Sequence, residues 1–394
     1  MKEHNTKLIR IYAGEFLAAQ KARIIAEIEA LKSDIGYSEQ IVFHADKERR
    51  KAEKNCFNVA EVQCYSNSIL KAAICLSRLI KKEHPVYLHA HGIKSVFIAI
   101  IAKWLILTNR PFLIYEVHGA AAFESLYRHQ KSLSRWLRFL IVYFLESLAV
   151  LLSNRILLVS KKIVHYYPLL KFKRCVVIPR FISEEHIDWN KQEISETFKL
   201  FKSFSDNAKK HHKKIIVYSG GAAVWQCVEE MLKIMGFLTE KCRFCMAIFT
   251  YEQDKFKKKA LKYAQDPDVF FSGNLKDAEL ISALSLCDIG ILLRKNLVLN
   301  QVASPTKLYE YLYAGLALIT TDSVVEALPI IQQTKAGIIL KDLFLTNIEK
   351  TCSFVESNLN SILNTRKNLL AYRHELTWAK GKILLQKLYD KVNI

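Results

Sequence analysis

The stretch ASPTKLYEYLYAGLALITTD, residues 303–322, constrains the fold more than any other part of the chain. Ser304 reads as an N-cap, because a serine hydroxyl can accept a bond from a free helix amide. Pro305 then falls at the first helical position, where its missing N–H costs nothing. Helical residues continue to Ala314, Gly315 is a natural stop, and LALITT suits a buried parallel strand. A loop, a short helix and a buried strand in that order is one unit of an α/β sheet. The free amides at 304–307, including those of Ser304 and Thr306, together with the positive helix end form an anion seat. Lys307 adds a full charge in the first turn. Glu310, one turn on, can accept two hydroxyl protons, as from a ribose diol. These features describe a holder for a nucleotide diphosphate. The same residues also read as an ordinary helix start with an i,i+3 surface pair contributing about 0.2–0.5 kcal/mol.

The wording SPTKLYEYLYAGLALITTD closely resembles the nucleotide-binding segment of the family 4 glycosyltransferases of the GT-B fold, and most of all their bacterial branch that builds surface polysaccharides. The resemblance implies that Glu310 binds the ribose and that the preceding loop holds the diphosphate. It covers most of the chain, is strongest over 269–322, and is weak before Pro85. Two departures stand out. Where the family commonly has a further glutamate eight residues before the ribose-binding one, this chain has Val302, which cannot bind sugar hydroxyls. Where the family usually has an arginine and a lysine after the first strand of its second domain, this chain reads GGAAVWQCVEE, with no basic residue. The diphosphate charge then falls to Lys307 and to Arg294, which follows a predicted strand at 289–293 and suits bidentate phosphate contact.

The length of 394 residues suits two domains, and 51% hydrophobic with 24% charged residues is enough apolar material for packed cores. The nine cysteines form no paired framework: Cys242 and Cys245 make a CxxC without a second pair at zinc-site spacing, so free thiols in a reducing cytoplasm are expected. The start, MKEHNTKLIRIY, lacks the apolar core of a signal peptide. The net charge of +20 admits a nucleic acid, an anionic membrane surface or a phosphorylated substrate as partner, or simply a lysine-rich protein with no polyanion partner. No nucleic-acid motif is present.

Along the chain, apolar runs predict strands at 8–12, 41–44, 85–90, 112–117, 155–160 and 175–179. A second series follows at 214–219, 244–250, 269–273, 289–293 and 316–321, alternating with helical patterns. Gly14 turns the chain after the first strand, opening a doubly wound unit, and Gly220-Gly221 follow the first strand of the second series and permit close backbone approach to a ligand. His118 ends the strand FLIYEV, where ligands of open α/β sheets bind. YEVHG resembles the family's strand end at which a histidine contacts the donor sugar. His89 and His91 end the preceding strand and read as mainly structural, with His91 and Gly14 placed on the acceptor side. Residues 183–214 are rich in charge and read as a linker or surface excursion. A helical pattern spans about 125–152. Arg128, Lys131, Arg135 and Arg138 recur on one face, and Leu133, Trp136, Leu137, Leu140 and Phe144 on another. Charge interrupts its apolar run before about 18 residues, so it reads as an interfacial helix or a core helix with a solvated face, rather than a span. A last helical stretch spans about 358–391, and within it TWAKGKILLQKLY resembles the family's last helix, which crosses back onto the first domain.

The expectation is therefore α/β, two Rossmann-like doubly wound domains facing across a cleft. Residues 1–185 form an acceptor domain joined by the helix at 372–394, and 186–371 form a nucleotide-sugar donor domain. The implied activity is a retaining transfer of a sugar from a nucleotide diphosphate sugar to a hydroxyl of a growing, lipid-linked glycan in surface polysaccharide synthesis. Catalytic roles fall to His118, Lys307 and Arg294, and donor contacts to Gly220, Gly221, Ser304, Thr306 and Glu310. No metal or other cofactor is required, and the leaving diphosphate is stabilised by helix amides and basic side chains. The expected partners are a nucleotide sugar, the lipid-linked acceptor and an anionic membrane surface, not nucleic acid, and the expected location is peripheral on the cytoplasmic face of the cell membrane. Two other readings stay open: a nucleotide-sugar epimerase of the same fold, which needs acid/base carboxylates and histidines, and a non-catalytic partner subunit of a glycosyltransferase, which the change at Val302 makes conceivable.

Overall fold

The computed structural model describes residues 7–14, 18–32, 39–46, 59–66, 68–106, 110–127, 133–183, 194–264, 266–275, 277–341 and 346–389. The first half runs β1 (Lys7–Ala13), α1 (Ala18–Lys32), β2 (Glu39–Asp46), β3 (Ala60–Tyr65), α2 (Ile69–Glu83), β4 (Tyr87–His91), α3 (Gly92–Trp104), β5 (Phe112–Val117), α4 (Ala121–Ser125), α5 (Leu133–Leu152), β6 (Arg155–Leu158), α6 (Ile163–Tyr166) and β7 (Arg174–Val177). The second runs α7 (Glu196–Lys210), β8 (Lys214–Ser219), α8 (Val228–Lys241), β9 (Phe244–Phe249), α9 (Gln253–Ala260), β10 (Phe270–Gly273), α10 (Asp277–Ser285), β11 (Ile289–Leu292), α11 (Val298–Gln301), α12 (Thr306–Tyr313), β12 (Ala317–Thr321), α13 (Ala327–Thr334) and β13 (Gly337–Leu340). Helices α14 (Ile348–Asn364), α15 (Arg366–Tyr372) and α16 (Trp378–Tyr389) close the chain.

The chain divides into two units, Met1–Pro179 with Trp378–Ile394, and Arg180–Thr377. The first holds a seven-stranded parallel sheet of order β3-β2-β1-β4-β5-β6-β7, and the second a six-stranded parallel sheet of order β10-β9-β8-β11-β12-β13. In each sheet the strand order reverses once, between β1 and β4 and between β8 and β11. Loops leaving those neighbouring strand ends diverge to opposite faces and open a crevice there, the usual ligand position in such sheets.

Central strands are buried on both faces, which is why they read as unbroken apolar runs. Every residue of β4, β9, β11 and β12 is buried. The second sheet has a core on each side, one built with Phe198, Phe201 and Leu308, the other with Met231, Leu232 and Val355.

Three sequence expectations are corrected. Residues 195–210 are not linker: Ser195 accepts from the Phe198 amide as N-cap, and Phe198, Phe201, Ser205 and Ala208 form the buried stripe of α7. Charge on the other faces of the helix hides that stripe in the sequence. The boundary expected at 185/186 falls outside the described residues, and the chain passes between units at 179/180. The last helical stretch is three helices, the first beginning at Ile348. Arg366 bonds the Gly315 carbonyl and Arg373 Nε donates to the Tyr313 carbonyl at 2.6 Å, pinning α15 and the turn after it to the end of α12. The helix expected over 125–152 is α4 and α5, with Arg128 and Lys131 outside the described residues. Helix α16 packs on α1 and β7 within the first unit, where Arg174 Nη2 donates to the Lys387 carbonyl at 3.1 Å.

Candidate active site

In the second unit the crevice between β8 and β11 gathers most of the expected donor residues. Gly220 and Gly221 leave β8, Arg294 stands two residues beyond β11, and Thr306, Lys307 and Glu310 lie on α12, which connects β11 to β12. The turn after β8 must be glycine for two reasons. Gly220 has φ +125°, and a Cβ there would lie 2.0 Å from Lys307 Nζ. The lysine thus packs onto bare backbone. Its ammonium donates to Tyr218 Oη at 3.0 Å and Gln226 Oε1 at 3.1 Å, and lies 4.5 Å from the centre of the Tyr218 ring. Burial, and the Arg294 charge beside it, push the Lys307 amine well below the usual lysine range, against the pull of Glu310.

Arg294 is held by its backbone. Its N–H donates to Thr321 Oγ1 at 3.0 Å, and its carbonyl accepts from Thr321 Oγ1 at 2.9 Å and Ser323 Oγ at 2.8 Å. These bonds tie the β11 loop to the end of β12 and fix where the guanidinium begins.

The capping expectation at Ser304 is overturned. The α12 N-cap is Pro305, with no side-chain cap bond, and the helix starts at Thr306. The buried Ser304 hydroxyl instead accepts from the Arg180 amide at 3.0 Å. The first amides of α12 therefore keep no side-chain cap, which leaves them free for an anion. Val302 is fully buried, so the position of the family's additional glutamate serves packing here.

In the first unit, strand ends β1, β4 and β5 carry a buried ionic cluster. Glu116 is its hub. Arg23 Nε lies 2.6 Å from Oε1, His91 Nδ1 2.7 Å and His89 Nε2 3.2 Å from Oε2, and His118 Nδ1 3.5 Å from Oε1. Glu27 takes Arg10 Nη1 at 2.6 Å and Arg23 Nε at 3.0 Å. Although burial opposes ionisation, Arg23 and the histidines around it hold the Glu116 carboxyl well below the usual range. His89 Nδ1 must accept, because Arg10 can only donate to it, at 3.0 Å, and Tyr389 Oη lies 2.7 Å from the same atom. The proton of neutral His89 is therefore on Nε2, facing Glu116. Burial pushes His89 down to about 4 and His91 well below 6.5.

His91 is enclosed and stacks between Tyr12, at 4.1 Å, and His89, at 4.4 Å, so its place is in the cluster interior. The His118 side chain keeps 18% exposure. Gly14 has φ +104°, donates to the Ala45 carbonyl at 3.0 Å and accepts from His44 Nε2 at 2.8 Å, so it shapes the turn after β1. Glu27, His89, His91 and Glu116 offer ligand atoms within 4.8 Å of one another. Arg10 and Arg23 already balance both carboxylates, so an added dication would bring uncompensated charge into a buried site.

The sequence reading missed the charged half of this cluster. The signal was an arginine inside the apolar run LIRIY and a glutamate inside FLIYEV: a charge in a buried strand needs a buried partner. It also missed Tyr218 and Gln226, whose bonds to Lys307 cross 81 residues or more.

Residues 201–350 match the family model "Glycosyl transferases group 1". The matched segment lies within the second unit. No curated protein matches the sequence. Among solved structures, WaaG, described as a glycosyltransferase involved in lipopolysaccharide biosynthesis, is similar at 14% identity and TM-score 0.63 over 98% of this chain and 100% of its own. A glycosyltransferase from Rickettsia africae aligns at 13% identity and TM-score 0.61 over 99% and 100%. An E. coli trehalose-6-phosphate protein bound with UDP-2-fluoro glucose aligns at 10% identity and TM-score 0.64 over 98% and 100%. At such identities the likeness is one of fold, and that fold is GT-B.

The His89 geometry generates a pH prediction. A histidine held neutral in the fold stabilises fully above its unfolded pKa of about 6.5 and loses that contribution as pH falls through the folded value. Acidification from pH 6.5 to 4 should therefore cost up to roughly 3 kcal/mol through His89. His89→Gln, which keeps a polar side chain without that titration, should show a shallower fall in melting temperature over this interval. Parallel acid limbs for the two proteins would remove His89 from the account.

Proposed function

We propose that the chain is a retaining glycosyltransferase that moves a sugar from a nucleotide diphosphate sugar to a hydroxyl of a growing, lipid-linked glycan in surface polysaccharide synthesis. The observation that carries this reading is the convergence of uncapped α12 amides, Lys307 and Arg294 at the strand-order reversal of the second sheet, inside the matched segment. Those groups suit the charge that develops on a departing diphosphate. Glu310, one turn along α12, is the proposed ribose acceptor. His118, at the end of β5, is the proposed contact to substrate from the first unit. The likeness to WaaG and to a protein bound with UDP-2-fluoro glucose supports this reading without naming the donor. The epimerase reading needs a carboxylate that reaches the sugar, and Glu116 is fully buried and paired with Arg23.

We place the protein on the cytoplasmic membrane surface. No helix among the described residues is long and apolar enough to cross a membrane. Helix α5, however, presents Trp136, Leu137, Leu140, Ile141 and Phe144 between 51% and 65% exposed. Their spacing of one and four residues makes one continuous stripe. Arg135 and Arg138 lie on the same helix, with the Arg135 guanidinium 5.8 Å from the Trp136 ring centre. An apolar stripe beside cations suits an anionic interface, and a lipid-linked acceptor would make that location useful.

Three measurements test these readings. Incubation with a panel of nucleotide sugars and a lipid-linked acceptor should release free nucleotide, whereas an isomerised donor would indicate an epimerase and no turnover a partner subunit. Glu310→Gln should weaken nucleotide binding at least tenfold, since a charged hydrogen bond contributes roughly 1.5–3 kcal/mol; unchanged affinity would take Glu310 out of the site. In vesicle sedimentation, wild type should bind anionic vesicles at low salt, and both Arg135→Glu/Arg138→Glu and Trp136→Ser/Leu140→Ser/Phe144→Ser should bind less. Equal binding by all three would show that α5 is not the contact.

A further inference from the structure

The environment of Lys307 has a consequence beyond holding an anion. Its two hydrogen-bond partners, Tyr218 Oη and Gln226 Oε1, are both neutral. Tyr218 is itself fixed, its hydroxyl bonded to the Gly221 carbonyl at 2.6 Å and in contact with Gln226 Oε1. The lysine chain lies on Gly220 with no room for a Cβ, so the ammonium has little freedom to move toward solvent. Four elements present groups to this pocket. Strand β8 contributes Tyr218, the following loop Gln226, the β11 end the Arg294 cation, and α12 Glu310, whose charge favours the ammonium. Glu252 approaches the same loop, but its carboxylate is engaged by the Ala222 amide at 2.6 Å and Lys255 Nζ at 2.9 Å. A lysine caged by neutral oxygens beside an arginine is costly to keep charged until an anion arrives.

We infer that Tyr218 and Gln226 are positioning residues that hold Lys307 in the nucleotide-free protein, and that binding of a nucleoside diphosphate takes up a proton at this lysine. This rests on the diphosphate reading of the site given above. Tyr218 and Gln226 act through Lys307 by supplying acceptor oxygens that keep the amine aimed at the α12 N-terminus, a task left open by the lack of basic residues in 220–230. The anion then supplies the compensating charge. Burial, with Arg294 beside it, lowers the affinity of the free lysine for a proton. A diphosphate raises it, so affinity is highest at pH below the free lysine's titration and falls as pH rises through it.

The test is calorimetric titration of the full chain with UDP and with GDP between pH 7.5 and 9.5, in buffers of different ionisation enthalpy. At these pH values the nucleotide's terminal phosphate, with a second pKa of about 6, is already ionised, so proton uptake reports the protein. Wild type should take up protons on binding and bind progressively more weakly as pH rises, each unit of uncompensated titration lowering affinity up to tenfold. Lys307→Arg, which keeps a cation that does not titrate, should bind without uptake and with a flat profile. Gln226→Leu, which removes one acceptor, should move the fall in affinity to lower pH, a change that loss of packing alone would not produce. Uptake that persists in Lys307→Arg, or a pH-independent wild type, would overturn the inference and leave the diphosphate reading standing. Absence of binding to either nucleotide would overturn both.

Discussion

The contact between the Lys307 side chain and the bare backbone of Gly220 is the constraint on which the second unit depends. It joins the first strand of that sheet to the helix between β11 and β12, across the strand-order reversal. A side chain at position 220 would expel the lysine, and a lysine without that gap could not reach Tyr218 and Gln226. Separate contacts fix the groups around it. Arg294 is anchored through its backbone to Thr321 and Ser323, so a second cation stands beside the first. Helix α12 begins without a side-chain cap because Ser304 is committed to Arg180. Arg366 and Arg373 hold the far end of the helix.

The first unit resolves the same topological position differently. Its strand ends carry two arginines, two carboxylates and a stack of histidines closed over by Tyr389 of α16. The buried charges balance, and burial keeps His89 and His91 neutral. Such a cluster is costly to desolvate and even more costly to break, because removing one member leaves another charge unpaired. It therefore fixes the geometry of β1, β4 and β5 and places His118 at their edge, rather than offering an open reactive carboxylate.

What the sequence disclosed follows from where each residue's partners lie. Central parallel strands are apolar throughout, so β5 and β8 were legible to the residue. Edge strands β3 and β13 were not read: β3, AEVQCY, is polar and mostly accessible, and β13 has four residues. Helix α7 was taken for linker because lysines fill its solvent faces, although Phe198 and Phe201 keep helical spacing. Lys307, Arg294 and Glu310 were legible because a helix start and a strand end are local signals. The neutral cage around Lys307, the diversion of Ser304 to Arg180 and the Arg23–Glu116 pair are contacts between residues 80 to 125 positions apart, and local pattern carries none of them.

The central claim is that the crevice between β8 and β11 receives a diphosphate. A crystal structure of the protein with a bound nucleoside diphosphate tests it most directly. The account predicts phosphate oxygens within hydrogen-bond reach of Lys307 Nζ and of the first amides of α12, the Arg294 guanidinium on the same anion, and the ribose hydroxyls at Glu310. A nucleotide bound elsewhere, with Lys307 still on Tyr218 and Gln226, would contradict it.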